Sequence, residues 1–381
     1  MRKVFSVLTF IIRIIVGHYY RLLIIFPGLL FSLPVITAQP GFLDDLYVTA
    51  TYHKGFVLPE YKYFLYIVED PVQSLGLNFS RRTTGKNDWE QLYSYPEYGL
   101  TVFYSTLGND NVYGSEIALL PFFNYPIFSK KRVSVDNQIG LGISYVTRKF
   151  DLEDNYQNIA VGSKLNMHFN LRLEVKIQVL KRYQLHTGLS FDHFSNANMQ
   201  EPNIGINYIT SYAGIGFLVG NSSHPQVHEL TPHRKDHGLE LIYSFGAKHT
   251  RAFQSTTFFT SSGTVEFKWD LFRVFHVGVG ADLFYDSSTE TEMQALHRTG
   301  FKDYYDFRTG LHLSQEFVYN RVSLIVQEGI YLFLTDRVNN KIMYNRGIVR
   351  YKISDHWFVG ISMKSHLHIL DYPELGLGYR F

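Results

Sequence analysis

Apolar and polar residues alternate with a period of two over most of the chain beyond residue 38. Alternation of this kind is typical of a β-strand whose two faces meet different environments. No stretch in this region approaches the ~20 apolar residues that a membrane-spanning helix needs, and amphipathic helical patterns are scarce. The pattern predicts about 14–16 strands, with 12 as the lower bound. They are 46–57, 73–81, 98–105, 112–122, 133–149, 162–179, 184–195, 204–219, 238–248, 257–271, 274–286, 304–319, 322–335, 342–354, 357–367 and 375–381.

The connections between these strands have unequal lengths. Very tight connections all follow an even-numbered strand, which places them at one end of the sheet. They occur near Lys181-Arg182, Phe272-Arg273, Asn320-Arg321 and Asp355-His356. Short turns at one end and long loops at the other are typical of outer-membrane barrels, whose short turns face the periplasm. Two long connections, Arg82–Glu97 and Asn221–His237, break this rule.

The composition agrees with strands that cross a membrane. The chain has 28 Tyr, 31 Phe and only 3 Trp, and its mean hydropathy is −0.09. Near-neutral hydropathy argues against a helical membrane protein, whereas alternating strands with aromatic girdles produce it. A soluble β-sandwich could share this composition, but the last strand alternates and ends on Phe381, as outer-membrane barrels commonly do. We therefore predict an all-β protein with one transmembrane antiparallel up-and-down β-barrel over residues 39–381.

The N-terminal region has the features of an export signal. Met1-Arg2-Lys3 is positively charged, and an apolar stretch from Leu22 to Ile36 ends at Thr37-Ala38-Gln39. This length and the small residue at its end predict a signal peptide over residues 1–38. A membrane anchor is the alternative. Export and a barrel together predict the outer membrane of a Gram-negative bacterium.

Charge and cysteine content exclude several kinds of chemistry. The net charge is +2 and no dense basic run occurs, so nothing indicates nucleic-acid binding. The chain contains no cysteine, which excludes disulfides, thiol nucleophiles and cysteine metal sites.

One group of residues stands out as a candidate for catalysis. His193 and Ser195 are two residues apart, so on a strand they share a face. That face continues backward through Phe191 and Leu189, which predicts that His193 and Ser195 end a lipid-facing stripe. A polar pair is costly there unless it serves a function.

The following strand supplies a third polar group. If residues 196–204 form a hairpin loop, Asn207 lies opposite His193 or Ser195 and on the same face, at about 5 Å. Ser195 could then attack an ester carbonyl, His193 could accept the hydroxyl proton and Asn207 could orient the imidazole. Asn196 could stabilise the oxyanion through its side-chain or backbone N–H. This mechanism requires no metal and no organic cofactor. Because Ser, Asn and His are also common at strand ends and turns, a purely structural motif is the alternative.

The motif resembles that of a known enzyme family. His-x-Ser-Asn-Ala (193–197) followed by Pro-Asn-x-Gly (202–205) is similar to the lipid A 3-O-deacylases, or acyloxyacyl hydrolases. The similarity extends to 95–100, 147–151, 158–163 and 364–381. The resemblance implies an outer-membrane barrel, His193 and Ser195 as catalytic residues, and the ester-linked acyl chains of lipopolysaccharide as substrate. The best-known members carry an acidic residue at the third position, where this chain has Asn207. Outer-membrane phospholipase A, in contrast, uses an asparagine.

Other interpretations stay open. A phospholipase would use the same chemistry, and a non-catalytic pore or structural barrel would need none. A pore predicts a wide lumen lined by charged residues, and the strands here carry only moderate charge. His366 and His368 have a spacing that suits a metal, but interfacial histidines are favoured because no acidic partner is identifiable. Homodimerisation is left open.

Overall fold

The computed structural model describes residues 43–381 apart from 60, 234, 251–255 and 367–368. The predicted signal peptide lies outside the described residues. Sixteen strands form, and each overlaps a strand predicted from the alternation. They are β1 (Leu46–Leu58), β2 (Val72–Arg82), β3 (Glu97–Thr106), β4 (Ser115–Lys130), β5 (Val133–Val146), β6 (Leu165–Leu180), β7 (Tyr183–Ser195), β8 (Ile206–Leu218), β9 (His237–Lys248), β10 (Phe258–Phe272), β11 (Phe275–Asp286), β12 (Phe307–Tyr319), β13 (Val322–Tyr331), β14 (Met343–Lys352), β15 (Trp357–His366) and β16 (Ile369–Arg380).

The strands close into two separate barrels of eight strands each. Consecutive strands pair antiparallel within each barrel. β8 returns to β1, with Leu218 opposite Tyr47, and β16 pairs with β9, with Arg380 opposite Glu240. We call β1–β8 barrel 1 and β9–β16 barrel 2.

The antiparallel β-barrel class and the number of strands are confirmed, but the closure corrects the sequence-based prediction of one barrel over residues 39–381. The alternation of apolar and polar residues shows which face of each strand meets which environment. It does not show which two strands pair to close a barrel. The connection between β8 and β9 is the linker between the barrels. This explains why the long connection Asn221–His237 broke the rule of short turns.

Charged side chains fill the lumens of both barrels. In barrel 1, Lys176 Nζ lies 2.6 Å from Glu97 Oε2 and 2.9 Å from Asp136 Oδ2. Barrel 2 has a similar cluster in which Lys268, Glu316 and Glu240 are buried. Eight strands leave an interior just wide enough for side chains to fill. The wide lumen that a pore requires is therefore absent from the described barrels, although the inward charge exceeds what the sequence suggested.

The outward-facing positions of both barrels are largely apolar and exposed. This is the distribution expected when the solvent around a barrel is lipid. Examples are Leu75, Leu119, Ile143, Leu189, Ile215, Leu241, Val265, Leu313, Ile361 and Leu377. In the described part of the chain, no helix is long and apolar enough to span a membrane. The α-helices of the described residues lie in connections: α1 (Phe64–Ile67), α2 (Asp88–Leu92) and α3 (Thr289–Ala295), and a 3-10 helix covers Asp303–Asp306.

The connections divide between the two ends of each barrel. Those after even-numbered strands are short, except the β2–β3 connection, which contains α2, and the linker. Those after most odd-numbered strands are longer. The β7–β8 loop, residues 196–205, belongs to this second end. It follows Ser195 directly.

Candidate active site

Ser195, His193 and Asn207 form a continuous series of hydrogen bonds. His193 Nε2 lies 3.2 Å from Ser195 Oγ, and His193 Nδ1 lies 2.7 Å from Asn207 Oδ1. Because an amide oxygen only accepts, Nδ1 carries the proton and Nε2 accepts from the serine hydroxyl. This is the tautomer that a general base needs.

The strand pairing produces this geometry. His193 on β7 is directly opposite Asn207 on β8, one of the two registers expected from the hairpin length. Outward-facing residues of β7 and β8 are more exposed than their neighbours, so both side chains lie on the outer wall as predicted. Ser195 has the same parity but is only 8% exposed. The β7–β8 loop covers Ser195, which is therefore less exposed than we expected for a residue at the end of a lipid-facing stripe.

Apolar residues between the polar ones anchor the strands. Phe194 and Ile206 pair across the two strands and are 0% and 1% exposed. They belong to an apolar cluster inside barrel 1 that also contains Tyr208 and Leu107. Because every second residue of these strands is buried, the backbone that carries the outward side chains is held in place.

Asn196 occupies the position after the serine and holds the β7–β8 loop together. Its backbone N–H donates to Asn203 Oδ1 at 2.8 Å, and its Nδ2 donates to the Gln200 carbonyl at 2.6 Å. The sequence offered either N–H of Asn196 as an oxyanion donor. The backbone N–H has a partner in the loop, whereas Nδ2 has a second hydrogen beyond the one that binds Gln200.

Gly205 lies at the end of the loop, close to the His193 and Ser195 side chains. Its φ is +79°, a conformation that favours glycine. A Cβ placed there would lie 2.9 Å from His193 Cε1 and 3.2 Å from Ser195 Cβ. The Gly205 N–H donates to the Ala160 carbonyl of the β5–β6 connection at 2.9 Å. Gly205 and Asn203 both lie in the Pro-Asn-x-Gly block, but no pattern in the sequence indicated these contacts.

Charged groups lie near the site on the loop side and on the lumen side. Burial raises the pKa of Glu201, while the Asn203 N–H and His249 of barrel 2 partly oppose this effect. On the inner wall, His168 bridges Glu116 at 2.7 Å and Asp192 at 3.0 Å. Asp192 precedes His193 but faces the lumen, so it does not take part in the hydrogen-bonded series.

The spacing of His366 and His368 in the sequence suited a metal site, although interfacial histidines were favoured. His366 faces the lumen of barrel 2 and is 6% exposed, so it is not an interfacial histidine. Its Nε2 lies 3.0 Å from Tyr331 Oη. Among the described residues, no group of three or more His, Asp or Glu is arranged to hold a metal ion.

A hydroxyl, an imidazole and an amide in hydrogen-bonded series are the arrangement of a serine hydrolase. Here they lie on the outer wall of a barrel whose exterior is apolar. Fold and site together define a class: a membrane β-barrel with a hydrolase-like site on its lipid-facing surface.

Comparison with known families gives a narrower result, with one match for each barrel. Residues 73–215 match the family model described as lipid A 3-O-deacylase (PagL). Residues 237–381 match the model described as acyloxyacyl hydrolase, C-terminal domain. The chain belongs to the lipid A 3-O-deacylase family, as the His-x-Ser-Asn motif indicated.

Solved structures of other barrels show low similarity. Neisserial surface protein A has 10% sequence identity and a TM-score of 0.32, and the match covers 46% of this chain and 97% of that one. The Acinetobacter baumannii outer membrane protein Omp33 has 8% identity and a TM-score of 0.17, with 88% of this chain and 97% of that one covered. A search of curated protein sequences gave no significant match.

Proposed function

We propose that this protein is an outer-membrane serine esterase that hydrolyses ester-linked acyl chains of lipid A. One observation carries the proposal: the hydrogen-bonded series Ser195–His193–Asn207 on the outer wall of barrel 1. Membership of the lipid A 3-O-deacylase family supports the substrate. The β7–β8 loop lies at the end opposite the short turns, which corresponds to the cell exterior in outer-membrane barrels.

In the first half of the reaction, Ser195 Oγ attacks the ester carbonyl and its proton passes to His193 Nε2. Asn207 accepts from Nδ1 and so keeps the imidazole in the tautomer and orientation required. The Nδ2 amide of Asn196 is the candidate donor to the oxyanion. Collapse of the tetrahedral intermediate transfers the His193 proton to the departing sugar hydroxyl and leaves an acyl group on Ser195.

In the second half, water completes the cycle. His193 accepts a proton from the water as it attacks the acyl group, and the same proton then returns to Ser195 Oγ when the fatty acid departs. Apolar residues of β6 and β7 around the site provide a surface for acyl chains: Leu171 is 38% exposed and Leu189 is 53% exposed.

The experiment uses the full-length protein in detergent micelles with purified lipopolysaccharide. Released fatty acid and the mass of lipid A are followed for wild type, Ser195→Ala and His193→Ala. Ser211→Ala is the matched control, because Ser211 faces outward on β8 and its hydroxyl donates to the Lys54 carbonyl at 3.4 Å. We expect fatty-acid release from wild type and Ser211→Ala, and a loss of about 1,000-fold or more in the other two variants.

A second arm replaces lipopolysaccharide with phospholipid vesicles. Hydrolysis of phospholipid alone would identify a phospholipase instead, an outcome to which the amide at position 207 points. If wild type and Ser195→Ala are equally inert on both lipids, the esterase proposal fails.

A further inference from the structure

The β7–β8 loop of barrel 1 is bound directly by barrel 2. Asn198 makes both contacts. The side-chain Nδ2 of Asn198 donates to the backbone carbonyl of Asp371 at 3.0 Å. The backbone carbonyl of Asn198 accepts from the backbone N–H of His249 at 3.1 Å. Asp371 lies on β16, and His249 follows β9 directly. Barrel 2 therefore holds one loop residue of barrel 1 through a donor and an acceptor at once.

The loop backbone at this point needs external support. Ala197 and Asn198 have φ values of +55° and +63°, in the left-handed region. This conformation is unfavourable for an L-amino acid, although asparagine tolerates it better than most. Only two residues, Asn196 and Ala197, separate Asn198 from Ser195. A loop that relaxed at Asn198 would thus carry the oxyanion donor and the nucleophile with it.

Barrel 2 presents its two binding groups on a rigid frame. Asp371 Oδ1 lies 3.1 Å from Lys248 Nζ, and Asp371 Oδ2 lies 2.6 Å from Lys364 Nζ. Lys248 also pairs with Asp286 at 2.9 Å and is only 2% exposed. Because Lys248 immediately precedes His249, this ion pair fixes both the Asp371 carbonyl and the His249 N–H. Breaking a buried pair of this kind is strongly unfavourable, so the frame resists movement.

We propose that barrel 2 acts as a clamp for the β7–β8 loop and that Asn198 is the positioning residue through which it acts. The inference rests on the proposed esterase function. Asn198 touches neither the nucleophile nor the base. Its role is to hold Asn196 and Ser195 in the geometry that the reaction needs, so its loss lowers kcat and leaves KM nearly unchanged.

The test compares Asn198→Asp and Asn198→Gly with wild type in the full-length protein. Both replacements tolerate a positive φ, and neither can donate to the Asp371 carbonyl. Asn320→Gly is the matched control, since Asn320 also has a positive φ (+60°) but lies at the tight turn between β12 and β13. Fatty-acid release gives kcat and KM, and hydrogen–deuterium exchange of residues 196–205 reports the loop itself.

We expect both Asn198 variants to lose about tenfold in kcat, because small misplacement of reacting groups is costly. KM should stay within about twofold, and exchange of the loop should increase while the strands keep wild-type protection. Asn320→Gly should match wild type in all three readouts. Wild-type kcat together with wild-type loop exchange in Asn198→Asp would overturn the clamp. If wild type itself does not hydrolyse lipid A, the proposed function fails, and the exchange comparison still decides whether the clamp exists.

Discussion

His193 Nδ1 and Asn207 Oδ1 lie 2.7 Å apart on neighbouring strands. The amide oxygen accepts this hydrogen bond as a carboxylate would, but without adding charge. In the proposed mechanism, His193 is therefore oriented but receives little electrostatic stabilisation when it becomes protonated.

The first prediction separates orientation from charge at position 207. Asn207→Leu removes the acceptor at similar volume, and we expect kcat to fall about 100-fold or more, the usual contribution of general-base catalysis. Asn207→Asp keeps the acceptor and adds a negative charge, which favours the protonated imidazole. Its kcat should be at least that of wild type, with the acid limb of the pH–rate profile displaced to higher pH. An unchanged rate in Asn207→Leu would remove Asn207 from the mechanism.

The second prediction concerns the oxyanion donor. Asn196→Asp retains an acceptor for the Gln200 N–H, which Asn196 Oδ1 binds at 3.2 Å, but it removes the amide donor. We expect kcat to fall about 100-fold with little change in KM, as for other single oxyanion donors. Asn203→Ala is the control, since it frees the Asn196 backbone N–H and leaves the side-chain amide in place. Equal losses in both variants would indicate a structural role in the loop.

The third prediction tests the tight approach of the loop to the base. Gly205→Ala would place a methyl group 2.9 Å from His193 Cε1 in a backbone conformation with φ of +79°. The imidazole must then shift from Ser195, and we expect kcat to fall about 100-fold. Gly347→Ala serves as the control because a Cβ there meets no atom within 4 Å. Steady-state kinetics of both variants test this prediction. A wild-type kcat in Gly205→Ala would show that the close approach of Gly205 to His193 does not matter for the reaction.

The fourth prediction concerns the stability of barrel 2. Lys268 Nζ lies 2.7 Å from Glu316 Oε2, 3.2 Å from Glu240 Oε2 and 3.5 Å from Glu266 Oε1. Lys268→Met removes the cation that contacts all three carboxylates, while Arg350 still pairs with Glu240 and Glu316. The free energy of unfolding should fall by about 3–5 kcal/mol, the usual cost of removing one partner of a buried ion pair.

Heat-dependent mobility on a gel measures this loss, because a folded barrel migrates differently from an unfolded one. Lys352→Met is the control, since its partner Asp355 is 91% exposed and exposed pairs contribute about 1 kcal/mol or less. Equal unfolding temperatures for the two variants would show that the lumen pairs do not stabilise the barrel.

The alternation of residues was sufficient to predict a segment overlapping each of the sixteen described strands and to assign the outer face of β7. It also placed Asn207 opposite His193 or Ser195, because the length of a hairpin loop leaves few registers between consecutive strands. The structure selects the register with His193. These are local properties, decided by residues close together in the chain. His193, Ser195 and Asn207 could therefore be brought together from the sequence alone.

Tertiary structure decided which strand edges meet. β8 closes on β1 and β16 on β9 because eight strands already enclose a lumen that their own inward side chains fill. The pairing of strands that are distant in the chain depends on how the inward side chains fill the lumen. No local sequence pattern shows this. The contact of Asn198 with Asp371 and His249 is likewise set by the docking of two barrels that are separated along the chain. For the same reason, only the fold could show that Asp371 and His249 of the second barrel contact the loop beside Ser195.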